Sequence, residues 1–196
     1  MRVGGPIGRT SAHENPVRQS VRRHPRRRSA RRGAVGGRAA SGPEIDHDAN
    51  ATLHSFVRQI GGAKELANKA AGILVFPSVV KAGFGLGGEY GEGLLIVDKR
   101  PAGYYNLISA SFGFQLGVQE RSVIIMFMTQ SALDSFHRRA GWKVGVDGSV
   151  AIITVGVGGS IDTDKVTQPV IGFVLDPKGL MYNLTLEGSK ISQIER

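Results

Sequence analysis

Glycine recurs at every second position in Gly83-Phe84-Gly85-Leu86-Gly87, inside the longer run from Val79 to Gly93. A period of two places the missing side chains on one face of an extended strand. Glycine in a strand interior costs backbone entropy and contributes no packing. A repeated glycine face therefore marks a sharp bend, a barrel corner, or main chain pressed against main chain or ligand. The run predicts a strongly curved sheet. Gly83-Phe84-Gly85-Leu86-Gly87-Gly88 also satisfies GxGxxG, but a dinucleotide site needs a helix to follow. Glu89-Tyr90-Gly91-Glu92-Gly93 is not helical sequence.

The formal charge of +9 is concentrated at one end. Residues 1–43 hold eleven Arg and one acid, Glu14, whereas 44–196 carries 14 basic and 15 acidic residues and is close to neutral. Arg22-Arg23-His24-Pro25-Arg26-Arg27-Arg28 is the densest stretch, with too few apolar neighbours to bury. The expectation is a disordered tail over 1–43 and one domain over 44–196. For the tail three readings stay open: a polybasic anchor for anionic lipid or nucleic acid, an organelle-type transit segment, and an upstream extension from a misassigned start.

From Asp46 to Ala71 the pattern is helical. Leu53, Phe56, Val57 and Ile60 share one face, Gly61-Gly62 interrupts, Leu66, Ala67 and Ala70 resume it, and Gly72 is a natural stop. Arg58, Lys64 and Lys69 ride the opposite, wet side. Such an element either covers a sheet or lies in a membrane interface. Beyond it, strands are expected at 73–76, 82–87, 93–97, 104–109, 112–119, 122–128, 149–157, 170–175, 180–186 and 191–194. Asp98-Lys99-Arg100-Pro101 and Asp176-Pro177-Lys178-Gly179 are hairpin-like, and Thr129 caps a short helix reaching about Arg139, closed by Gly141. Gly145, Gly148, Gly156, Gly158 and Gly159 echo the first glycine run. The fold class is α+β: a single domain with a mostly antiparallel, strongly curved or barrel-like β-sheet, an N-terminal amphipathic helical segment and one short inserted helix.

Chemistry-bearing patterns are sparse. The chain has no cysteine, which removes disulfides, thiolate metal sites and cysteine nucleophiles, and a lipobox cysteine with them. No recognisable signal peptide is present, and no apolar run approaches the roughly 18 residues of a spanning helix. Neither compartment, bacterial envelope nor cytoplasm, is favoured. There is no GxxxxGK[ST], GxSxG or HExxH. His54 and His137 fall on short helical stretches, and Asp162-Thr163-Asp164 supplies too few oxygens for a calcium cage. Glu89 and Glu92 stand in the glycine-rich run without an evident partner. They are the basis of a hydrolase alternative, against the expectation of no catalytic residues, no metal and no cofactor. The basic residues suit a binding module instead, with Lys81, Arg58, Lys64 and Lys69 as contacts for anionic lipid. Nucleic acid bound through the arginines of 1–43 is a competing reading.

Separated blocks carry a family likeness. Val79-Val80-Lys81-Ala82-Gly83-Phe84, Gly91-Glu92-Gly93, Gly113-Phe114-Gln115-Leu116-Gly117-Val118-Gln119, Lys178-Gly179-Leu180 and Leu186-Glu187-Gly188-Ser189 resemble the SYLF domain family. Gly88 to Gly93, Tyr104-Tyr105, Gly141-Trp142 with Gly145 to Ala151, and Gly179 to Leu184 look like its bacterial branch. The resemblance implies a non-enzymatic domain binding membrane lipid, phosphoinositides included, with actin as a partner in eukaryotic members and not in a bacterial one. It makes Lys81 the matched basic residue and places Leu53, Phe56, Val57 and Ile60 on a membrane-facing leading helix.

Overall fold

The computed structural model describes residues 39–153, 158–175 and 186–196, with backbone alone at 82–86 and 111–119. The chain opens with two helices, α1 (Gly42–Gln59) and α2 (Ala63–Lys69). Helix α1 begins four residues before the apolar pattern does, because Ser41-Gly42-Pro43-Glu44 is itself a start signal. Pro43 sits in the first turn, and the Ser41 N–H donates to the Glu44 carboxylate at 2.8 Å. Gly42 and Pro43 thus belong to the helix and not to a tail; residues 1–38 lie outside the described residues. Gly62, at φ +79°, breaks α1 from α2, and a Cβ there would meet the Ile161 carbonyl at 2.5 Å. Gly72 is not the helix stop: α2 ends at Lys69, and Gly72 opens the first strand.

The six strands expected between 73 and 128 are two. Strand β1 (Gly72–Val97) and strand β2 (Arg100–Phe127) pair antiparallel along their length. The turn between them is Asp98-Lys99, both residues at positive φ (51° and 63°), the type I′ geometry that matches strand twist. Gly83 pairs with Gly117 and Gly85 with Gly113, across one of three register shifts; the others lie at Phe76/Val79 and Leu95/Ile96. The glycines and bulges bend the ribbon without ending it. The GxGxxG run is strand throughout.

The other edge of β2 is shared by two strands. Near the turn it pairs β6 (Lys190–Ile194), and at its far end β5 (Val170–Leu175). Short β3 (Trp142–Lys143) adds to β6, and β4 (Ala151–Ile152) adds to β5 as the one parallel pair among the described strands. Helix α3 (Gln130–His137) is inserted after β2, with the Thr129 hydroxyl accepting from the Ala132 N–H at 3.2 Å. The strand expected over 149–157 is reduced to β4 among the described residues, and 154–157 lie outside them. So do the hairpin at Asp176-Pro177-Lys178-Gly179 and the strand at 180–185. Gly145 (φ 88°) and Gly158 (φ 72°) serve turns, and Gly148 makes room for the Trp142 ring. The result is α+β, one curled and mostly antiparallel sheet in a compact unit from Arg38 to Arg196.

The curl gives the sheet two buried faces. Leu74, Phe76, Val123, Ile125 and Phe127 point inward to α3 and Trp142; Ile73, Val75, Ile124, Met126 and Phe173 point outward under α1 and α2. Burial on both faces explains why Val123 to Met128 is apolar without alternation. The seam is closed by glycine. A Cβ on Gly93 would lie 2.5 Å from the Val75 carbonyl, and one on Gly91 2.8 Å from the Ser78 carbonyl, so β1 doubles back with its limbs in backbone contact. Gly93→Ala is expected to destabilise by about 1–3 kcal/mol or more, since the obstacle is main chain. Gly88→Ala, whose Cβ would find its nearest neighbour at 3.7 Å, should change stability by no more than about 0.5 kcal/mol. Urea denaturation of the two variants measures the contrast.

Candidate functional site

Where β1 doubles back, its second limb carries Glu89 onto two cations, Lys81 of the first limb and Arg121 of β2. Glu89 is 7% exposed. Its Oε2 accepts from an Arg121 terminal nitrogen, and its Oε1 lies 3.9 Å from the Lys81 ammonium. Arg121 is buried too, and its Nε has no hydrogen-bond partner among the described residues. Lys81 is the arm of the cluster that reaches solvent. Two cations share one carboxylate, which leaves a net positive charge in a largely desolvated place. Lys81 was expected as a site residue; Arg121 was not. A signal existed: Arg121, Val123, Ile125 and Phe127 lie at period two, so the inward row that fills the core begins with a charge.

Glu92 is held differently. It accepts from the Tyr90 hydroxyl at 2.6 Å, from the Ala40 N–H at 3.2 Å and from the Arg196 guanidinium. Burial raises the Glu92 carboxyl, but the Arg196 and Tyr90 hydrogen bonds outweigh it, and the group titrates below its ordinary value. Burial and then the bond to Glu92 push the Tyr90 phenol up. Both acids considered for hydrolysis are therefore ion-pair partners, each committed to an arginine.

A second feature lies between α1, α2 and the β1–β2 turn. A groove of about 410 Å³ has Leu53, Val57, Ile73 and Ile96 on its walls and Lys64 and Lys99 at its rim. Of the apolar helix face, Leu53 and Val57 line this groove, whereas Phe56 and Ile60 are in the core, Phe56 with its ring 4.7 Å from that of Phe173. Of the basic face, Lys64 reaches the groove. Lys69 bonds Glu65 one turn earlier at 2.7 Å, and Arg58 is exposed on α1 outside it. The structure thus separates the expected contacts into a groove at the hairpin end and a charged cluster eight residues further along β1 from Ile73. His54 borders the groove; His137 is exposed beside Phe136. Asp162 pairs with Lys165 at 2.8 Å, and no group of three His, Asp or Glu among the described residues is placed to hold a metal ion. No described helix is long and apolar enough to cross a membrane.

A curled antiparallel sheet under two amphipathic helices, with a basic-rimmed groove, fits a binding domain. Residues 108–196 match the Ysc84 family, described as Las17-binding protein actin regulator. That family is the SYLF domain family, and the stretch similar to it runs from Ile108 in β2 to the last residue, somewhat under half of the chain. Arg121 lies inside the match; Lys81, Glu89 and the groove residues precede it. A comparison with curated proteins gave no match.

The Glu92 clasp yields a pH prediction. A carboxylate whose folded pKa is depressed contributes stability above its unfolded pKa and loses it as pH falls through the folded one. Glu92→Gln is expected to be less stable than the parent near neutrality. The two curves should converge only as the pH falls through the depressed folded pKa of the parent carboxyl, below the ordinary carboxylate range. Urea midpoints across that range check it.

Proposed function

We propose that residues 38–196 form a non-enzymatic, peripheral lipid-binding module for anionic phospholipid, phosphoinositide-type head groups included. The observation that carries this reading is the groove. Its volume is in the roughly 300–1,000 Å³ range of ligand sites, and it joins apolar walls to two rim lysines. Lys99 adds weight. It sits at φ 63°, where Gly or Asn would be cheaper by about 1 kcal/mol, so a lysine held there points to use of its charge. The match of residues 108–196 to a family of lipid-binding or actin-regulator domains supports the same class. The resemblance of the blocks at Gly88 to Gly93 and Gly141-Trp142 to a bacterial branch is the reason for proposing lipid and not actin as the partner. Leu53 and Val57 would meet acyl chains, Lys64 and Lys99 head groups, and Arg58 and Lys69 would add long-range attraction. Each lysine near an anionic surface contributes about 1 kcal/mol.

The test is sedimentation with vesicles of phosphatidylserine in phosphatidylcholine, using a chain lacking residues 1–37. Binding at low salt is expected, and Lys64→Glu with Lys99→Glu should weaken it by roughly tenfold or more. If the shortened chain does not bind while the full chain does, the activity belongs to the arginine tail, and nucleic acid becomes the reading to test.

A further inference from the structure

We propose that Lys81 and Arg121 form an oxyanion site in which Glu89 is the resident, internal anion, and that the external ligand is a phosphate group. A guanidinium offers five N–H donors, and its strongest pairing with a carboxylate or phosphate is two parallel bonds. Arg121 makes one of them: a terminal nitrogen bonds Glu89, while Nε, buried, bonds nothing among the described residues. The Lys81 ammonium stands 3.9 Å from the same carboxylate, beyond hydrogen-bond reach, and extends towards solvent. A planar carboxylate on a strand cannot saturate both cations. A phosphate, with three or more oxygens, can bond the Nε edge and the ammonium together, and the surplus positive charge favours it. Glu120, the adjacent acid, is exposed and takes the Ser78 hydroxyl at 2.6 Å, so it is engaged apart from the cluster. Exchange of Glu89 for phosphate would release the side-chain contact between Glu89 and Arg121, while main-chain contact at Gly91 and Gly93 keeps the two limbs of β1 together. The phosphate has two sources, a lipid head group, which rests on the lipid-binding reading, and a free phosphate compound, which does not.

Thermal unfolding of the full chain in phosphate against chloride at equal ionic strength tests the site. The parent and the variants carry the same arginines in residues 1–43, so a difference between their phosphate-dependent shifts in midpoint reports on the substituted positions. Glu89→Gln keeps the shape and removes the competing charge. Its apparent Kd for inorganic phosphate is expected to be tighter than the parent's by at least about tenfold, and Lys81→Met on that background should remove the gain. Equal phosphate responses in parent and Glu89→Gln overturn the proposal. If Glu89→Gln does not fold in chloride, folding restored by phosphate supports the site and folding not restored overturns it. Vesicles of phosphatidylcholine with and without phosphatidate separate the sources. A Glu89→Gln gain on phosphatidate vesicles assigns the site to lipid. A gain with inorganic phosphate alone supports a site for a free phosphate compound and leaves the lipid-binding reading to the Lys64 and Lys99 result.

Discussion

Backbone contact between the two limbs of β1 is the constraint on which the rest of the domain depends. A straight strand of 26 residues would run roughly 85 Å, several times the roughly 15 Å radius of gyration of a chain of this size. It must therefore fold over itself. Gly91 and Gly93 let it do so, because the Ser78 and Val75 carbonyls stand where any Cβ would be. Once the limbs touch, the sheet has an inside and an outside. The inside is filled by Leu74, Phe76, Val123, Ile125, Phe127 and the aromatic group of Phe136 and Trp142, and the outside by the helices. The same fold-over carries Glu89 to Arg121.

Glycine spacing made the curvature readable and its location harder to place. The alternating run Gly83-Gly85-Gly87 is paired strand, with glycine opposite glycine at two positions, while main-chain contact between the limbs of β1 falls at Gly91 and Gly93. Local turn chemistry also misled in one respect. Gly, Ser and Glu clusters between apolar stretches read as turns, yet at Pro77-Ser78 and Glu120-Arg121 they are bulged or charged positions inside one continuous ribbon. What separates those cases is long-range pairing, which a single strand's residues do not encode. The Asp98-Lys99 turn was readable because its geometry is local.

The candidate site was half legible for a similar reason. Periodicity assigned Leu53, Phe56, Val57 and Ile60 to one helix face, and that face does turn away from water. It does not tell which part of the face meets the sheet and which part borders a groove; that depends on Ile73 and Ile96, brought from the two ends of β1. Lys81 stood out by position in its block, while Arg121 was hidden in a strand that looks purely structural. Its partner Glu89 looked catalytic only because the guanidinium that holds it is 32 residues away in sequence.

Charge at the fold-over calls for a physical reason. Replacing a buried ion pair by well-packed apolar residues is often neutral or stabilising, whereas stranding one partner costs about 3–5 kcal/mol. Apolar residues at positions 89 and 121 would have continued the inward row that Val123 begins and closed the curl as well. A Glu89–Arg121 pair closes it with a contact that is conditional on the proposed exchange, and it leaves beside it a lysine and a guanidinium edge with no partner among the described residues. A sheet closed by main-chain contact at Gly91 and Gly93 keeps its core whether or not that pair is made. The division of labour follows from the two energies: glycine supplies closure that does not respond to solutes, and the charge cluster supplies a contact that does.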